Sequence, residues 1–324
     1  MKCLATLEAG DHVSHLVWNR SGDRWIVCPS SGPVLVADDL GAVRESLSPH
    51  GMGNGAPAWF GGQAATCGFD GRIRLGGAPI HLGRGMIERV RTNADDSLLA
   101  ATQGRNLLLF DRSGAVVDSS IALPSPVADL RWNPAAPREL ATSGAGGALL
   151  WRIGEAEPFA RFDWGGASLE AVWSPDGRWL ATADQTPSVH IFDIPANNPL
   201  HMEGFDGKVR AMAVSSDSKR LATAGSAVFT VWPLTGARGP EGARPIQVEG
   251  SASEVVAMDF SPRDGRLATG DTEGTLLVVT FEKGQFRRKR ARLGTGISTL
   301  AWHPTAPRLA IGHTDGKVQL LEMA

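Results

Sequence analysis

The chain has 324 residues, 42% hydrophobic and 20% charged, with a mean hydropathy of −0.10, which is enough apolar matter for a large core. Its 32 basic and 34 acidic side chains leave a net charge of −2. No global field results, so neither nucleic-acid binding by bulk electrostatics nor polyanion mimicry is implied.

In chain order, the first predicted element is an isolated strand, Lys2 to Glu8. The next, Val13 to Trp18, opens a phrase of about 40 residues that recurs eight times. Aligned on the large residue closing its first strand, the copies stand at Trp18, Trp59, Thr92, Trp132, Trp173, Val214, Phe260 and Trp302, with spacings of 41, 33, 40, 41, 41, 46 and 42. Each anchor leads into a turn and a second strand, as in Trp173-Ser-Pro-Asp-Gly-Arg-Trp-Leu-Ala-Thr-Ala183. A third strand then ends in an aromatic-polar pair such as Phe192-Asp193 or Trp151-Arg152. A weaker fourth strand, such as Gln285 to Leu293, completes a four-stranded antiparallel unit. No segment longer than about ten residues carries helical apolar spacing, so the chain reads as all-β. One unit cannot bury both of its faces, whereas neighbours stacked in a closed ring can.

The phrases Trp173-Ser-Pro-Asp-Gly-Arg-Trp-Leu-Ala-Thr, Arg220-Leu-Ala-Thr-Ala-Gly225, Phe69-Asp-Gly-Arg-Ile-Arg-Leu75 and Thr314-Asp-Gly-Lys-Val-Gln-Leu320 resemble the WD-repeat β-propellers over essentially the whole chain. The resemblance implies a brace in which a His before the first strand bonds an Asp in the turn between the second and third strands. Turn acids are kept at Asp70 and Asp315, with Glu273 similar, but the expected His is mostly replaced, as by Phe205. Packing is therefore expected to carry most units. The last copy ends with its third strand at Gly316 to Met323, so Lys2 to Glu8 is expected to supply its fourth. The expectation is a closed propeller of eight four-stranded blades, with seven as the alternative, forming a single domain over 1–324.

Cys3, Cys28 and Cys67 show no CxxC spacing and read as reduced structural thiols. The N-terminus has no apolar run of seven residues, so a cytoplasmic rather than exported or membrane-spanning protein is expected. Abundant Ala, Gly and Arg with economical loops read as a bacterial composition.

Candidate binding residues come from the loops that join outer to inner strands. Met52, Met86, Trp164 and Phe205 are bulky apolar groups among turn residues, the composition of a protein-binding hot spot; the alternative is that Trp164 and Phe205 fold back over their own blades. Three positions before the anchors stand His15, Arg89, Asp129 and Glu170, which would line the channel of a ring. They read either as a structural network, with Arg89 paired to Asp129 or Glu170, or as a polar patch that recognises a partner. A metal site built from His15, Asp129 and Glu170 is a remote third reading. The one dense charge run, Arg287, Arg288, Lys289, Arg290 and Arg292, falls on an outermost strand, where it protects the edge or docks a phosphate or an acidic partner. The stretch 236–245 reads as a tolerated insert. The remaining histidines show no ligand-like spacing.

No nucleophile elbow, Walker loop, HExxH or dinucleotide fingerprint occurs, so no catalytic residue, metal or cofactor is assigned. The function that the resemblance implies is a non-catalytic scaffold that binds a protein or peptide partner on its loop face, around the channel. Nucleic acid and membrane are not expected as partners. A metal-centred hydrolase or lyase and a nucleic-acid-associated assembly factor are the alternatives.

Overall fold

The computed structural model describes residues 1–118, 121, 123–236, 238–282 and 285–323; Ala237 of the predicted insert lies outside them. As the missing helical periodicity predicts, no helix occurs among the described residues.

Strand β1 (Lys2–Glu8) is followed by a sheet of β2 (Val13–Trp18), β3 (Arg24–Pro29), β4 (Val34–Asp38) and β5 (Val43–Leu47). The second sheet holds β6 (Ala58–Phe60), β7 (Gln63–Cys67), β8 (Arg72–Leu75) and β9 (Ala78–Leu82). The third holds β10 (Val90–Thr92), β11 (Leu99–Gln103), β12 (Asn106–Phe110) and β13 (Val116–Asp118). A six-stranded sheet follows, of β14 (Val127–Trp132), β15 (Glu139–Arg152), β16 (Ala160–Trp173), β17 (Trp179–Asp184), β18 (Val189–Asp193) and β19 (Asn198–Met202). Next come the sheet of β20 (Ala211–Val214), β21 (Arg220–Ala224), β22 (Phe229–Pro233) and β23 (Ile246–Val248) and that of β24 (Val255–Phe260), β25 (Leu267–Asp271), β26 (Thr275–Glu282) and β27 (Gln285–Arg292). The last sheet is β28 (Ile297–Trp302), β29 (Arg308–His313) and β30 (Lys317–Glu322), completed by β1, which runs antiparallel to β30 from Lys2 opposite Glu322 to Glu8 opposite Lys317. The isolated first strand thus covers the last edge, as expected.

Seven hydrogen-bonded sheets form, which is the alternative count and not the eight separate sheets expected from eight phrases. The reason lies in β15 and β16. At Gly146 and Gly147, with φ of 90° and 112°, β15 reverses in so tight a turn that its extended backbone is not interrupted. Gly165 and Gly166 keep β16 extended through 163–167, where a loop was expected, and Ala145 pairs with Ala167 across the sheet.

The strands fall into two compact units, residues Met1–Ser46 with Gly204–Ala324 and residues Leu47–Glu203. In the first, Trp25, Val27, Val318 and Leu320 pack into one core, and Phe229, Leu267, Leu277 and Val279 into another. In the second, Phe60, Ile73, Leu99 and Phe110 share a core, and Leu109, Leu130, Leu140 and Trp151 a neighbouring one. Each such side chain, fully withdrawn from water, contributes about 1.5–3 kcal/mol. Fully buried alanines on second strands, Ala100, Ala222 and Ala268, leave room for the sheet stacked on each.

The anchors do more than fill space. The Trp132 indole Nε1 donates to the carbonyl of Arg91 at 2.8 Å, and Trp173 to that of Arg131 at 3.1 Å. In the other unit Trp302 donates to the Asp259 carbonyl at 3.0 Å and Trp18 to that of Ala301 at 3.2 Å. Each acceptor immediately precedes the anchor of the neighbouring inner strand, so the inner strands are stitched in steps. Where Thr92 replaces Trp, its hydroxyl donates to the Trp59 carbonyl at 2.7 Å and keeps the stitch.

Candidate functional site

In the second unit, the inner strands β10, β14 and β16 bring three of the predicted polar residues together. Asp129 is completely buried on β14. Its Oδ1 accepts from Arg89 Nη1 at 2.6 Å and from the Leu130 amide at 2.9 Å; its Oδ2 accepts from Arg131 Nε at 2.8 Å and from the Ala171 amide of β16 at 3.1 Å. Arg131 also reaches Glu170 Oε1 at 3.7 Å, and Arg89 reaches Glu88 at 3.3 Å. Burial alone would push the Asp129 carboxyl up, but the cations of Arg131, Arg89 and Arg91 outweigh it and hold the group well below the usual carboxylate range. Arg91, by contrast, lies below its ordinary value through desolvation and the neighbouring Arg131 charge; its Nη1 donates to the Val90 carbonyl at 3.2 Å, and its buried Nε meets no acceptor among the described residues.

The pairing of Arg89 with Asp129 is the structural network anticipated from the sequence, enlarged by Arg91 and Arg131. With four N–H donors on its two oxygens, Asp129 has no lone pair left for a metal ion. His15 lies in the other unit, partly buried on β2 opposite Cys28.

The loop candidates divide. Met52 and Met86 are 71% and 55% exposed. Trp164 is partly buried and folds back: its ring lies over Gly166, where a Cβ would stand 1.7 Å from the indole, so only glycine fits there. The ring also meets His190 edge-on, with centroids 5.2 Å apart. Phe205, in the first unit, is partly buried with its ring 6.3 Å from that of Trp232. The basic residues Arg287, Arg288, Lys289, Arg290 and Arg292 are all exposed on β27, the edge strand of its sheet. Arg292 pairs with Glu273 at 3.2 Å, Arg287 with Glu282 at 3.9 Å, and Arg288 donates to the Glu249 carbonyl.

Two constellations were not singled out from the sequence. In the first, His50 Nδ1 donates to Asp70 Oδ1 at 2.9 Å, and His50 Nε2 accepts from the Thr66 hydroxyl at 3.2 Å. Desolvation holds this imidazole below its ordinary value in spite of Asp70, so the ring is neutral and the brace expected to be mostly absent survives in the β6–β9 sheet. The signal was present in Pro49-His50-Gly51, twenty residues before Asp70.

The second constellation is a cleft of about 340 Å³ whose walls include Trp164, His190, His201, Phe162 and Phe192. Buried Asp184 lies behind His190, with its Oδ2 2.7 Å from His190 Nδ1. The hairpin that sets Asp193 opposite Asn198 also sets His190 opposite His201, a register that the Pro195-Ala-Asn-Asn198 turn made available to simple counting.

No protein-family model matches the chain. Subunit 1A of the actin-related protein 2/3 complex of Arabidopsis thaliana is 26% identical over 158 residues, 46% of this chain and 41% of that protein. WD repeat-containing protein 1 of Xenopus tropicalis is 24% identical over 162 residues, 47% of this chain and 25% of that protein. The matches thus span less than half the length of these relatives. Among solved structures, the computationally designed Ika8 protein superposes with a TM-score of 0.82 at 15% identity, covering 100% of both chains, which shows the fold. Together with the repeated phrases and the stitched four-stranded units, these likenesses to WD-repeat proteins are consistent with a WD-repeat β-propeller.

Proposed function

We propose that the chain is a non-catalytic, cytoplasmic interaction scaffold that docks a protein or peptide partner through residues presented by its rigid sheets and the loops that join them. The observation that carries this reading is the aromatic-walled cleft at Trp164, whose volume of about 340 Å³ suits one large side chain of a partner. Exposed Met52 and Met86 are further adaptable apolar groups that a partner could contact. The actin-related relative is, by its name, a subunit of a complex, which agrees with a role in assembly.

Eight repeat units fit this scaffold better than seven, with the six-stranded sheet counted as two. The Ile153 amide donates to the Arg138 carbonyl at 2.9 Å, so the two ends of β15 meet and that strand is a hairpin; the Leu234 to Lys219 bond, also 2.9 Å, marks the same place in the β20–β23 sheet. On this count the repeats run as one domain over 1–324.

The test is affinity capture from the native host, comparing the wild-type chain with a Trp164→Ala, Phe205→Ala variant. Loss of a specific co-purifying protein in the variant supports the reading; equal recovery of every partner refutes it.

A further inference from the structure

We propose that His190 and His201, in the wall of the same cleft, form a binding site for a late first-row divalent cation of the Zn²⁺ type, which would bind whether or not a partner is docked. The two residues are directly paired across β18 and β19, so their side chains leave the same face of the sheet. Their rings stack with centroids 4.3 Å apart and planes 8° from parallel. A nitrogen of each ring and an oxygen of Asp184 all lie within 4.8 Å of one another.

The surroundings assign roles within this group. Asp184 is fully buried, and its oxygens also accept from Ser168 at 3.0 Å and Ser188 at 2.9 Å. It is therefore committed as an acceptor, and its 2.7 Å contact with His190 Nδ1 fixes the proton there, leaving the Nε2 lone pair for a ligand. Glu203, more loosely placed and exposed, stands 3.5 Å from His201 Nδ1. An imidazole that donates its Nδ1 proton to a carboxylate, as His190 does to Asp184, is how metal-binding histidines are oriented. Asp163 lines the cleft beside them and offers a third, carboxylate ligand, while Arg161 is turned to Glu157 at 3.2 Å. The acids thus exceed the bases around two imidazoles, which favours a cation. Imidazole with carboxylate and water selects Zn²⁺, Cu²⁺ or Ni²⁺ over Ca²⁺ or Mg²⁺. Parallel rings direct their lone pairs alike, so binding requires the His201 side chain to rotate out of the stack, which its exposure on the outermost strand permits.

The experiment is calorimetric titration of the full chain, stripped with a chelator, with ZnCl₂. The expected result is one ion per chain with a Kd tighter than about 100 μM, weakened at least about tenfold in His201→Gln. His81→Gln, on a different sheet, leaves binding unchanged and controls for adventitious histidine binding. Because His201 is exposed, its variant keeps the fold, which circular dichroism verifies. A Kd weaker than about 100 μM, or one that His201→Gln does not weaken to that extent, overturns the proposal.

Discussion

Replacing Asp129 with Asn tests whether one carboxylate holds three inner strands. The wild-type oxygens take two donors each, and the Asn amide has only one acceptor oxygen, so its NH₂ group would face two N–H donors. Arg89, Arg91 and Arg131 would then share a site without its central negative charge. Breaking a buried ion pair on one side costs about 3–5 kcal/mol, and the partial exposure of the Arg89 and Arg131 side chains, 22% and 32%, argues for the lower end, about 3 kcal/mol. Since the folded Asp129 carboxyl lies well below its ordinary 3.8, its stabilisation is complete above about pH 4 and is lost as pH falls towards the folded value. The difference between wild type and variant, measured by urea unfolding, should therefore be large at pH 7 and shrink below pH 4. A difference under about 1 kcal/mol at pH 7 would show that the arginines are held by packing and solvent instead.

Two further outcomes follow from the same geometry. Trp173→Phe removes the indole donor to the Arg131 carbonyl and part of a nearly buried ring, so urea unfolding should show a loss of about 1–3 kcal/mol, and a loss below about 0.5 kcal/mol would deny the stitch an energetic role. Asp259, by contrast, has its carboxyl pushed up to about 7 by burial, although the Trp302 amide donates to it at 2.8 Å. A raised acid is destabilising when ionised: the penalty is absent below about pH 4 and complete above about pH 7. Asp259→Asn should therefore gain about 1 kcal/mol on wild type between pH 5 and pH 8, a value reduced for the partial exposure of this side chain; an unchanged difference would contradict the assignment.

The repeats were legible because each turn is written in the same residues. Ser174 and Asp176 bond each other at 2.5 Å, and the Trp179 amide returns to Ser174 at 2.8 Å; Ser215, Asp217 and Arg220 repeat the pattern at 2.6 and 3.0 Å. Local chemistry of that kind survives in a sequence read one residue at a time. The β1 to β30 pairing was also legible, because counting strands left one over at each end. What escaped reading depends on contacts between elements. The Arg89 to Asp129 pair and a Trp164 that folds back were both among the readings, but the glycine that the ring covers and the partners of His50 and His190 exist only once strand register is fixed.

The unusual preference for Trp, used ten times while Tyr is absent, then has a physical account. At least seven of the ten indole N–H groups are bonded: Trp18, Trp132, Trp173 and Trp302 to carbonyls of the neighbouring inner strand, Trp25 to the Asp38 carbonyl, and Trp151 and Trp232 to threonines of their own second strands. An indole carries its donor on the flank of the ring, so it can bury its full breadth between sheets and still reach a backbone beside it. A phenol carries its donor at the far tip, past the carbonyl that needs it. The stitches run from inner strand to inner strand, so the exposed loop residues Met52 and Met86 take no part in them.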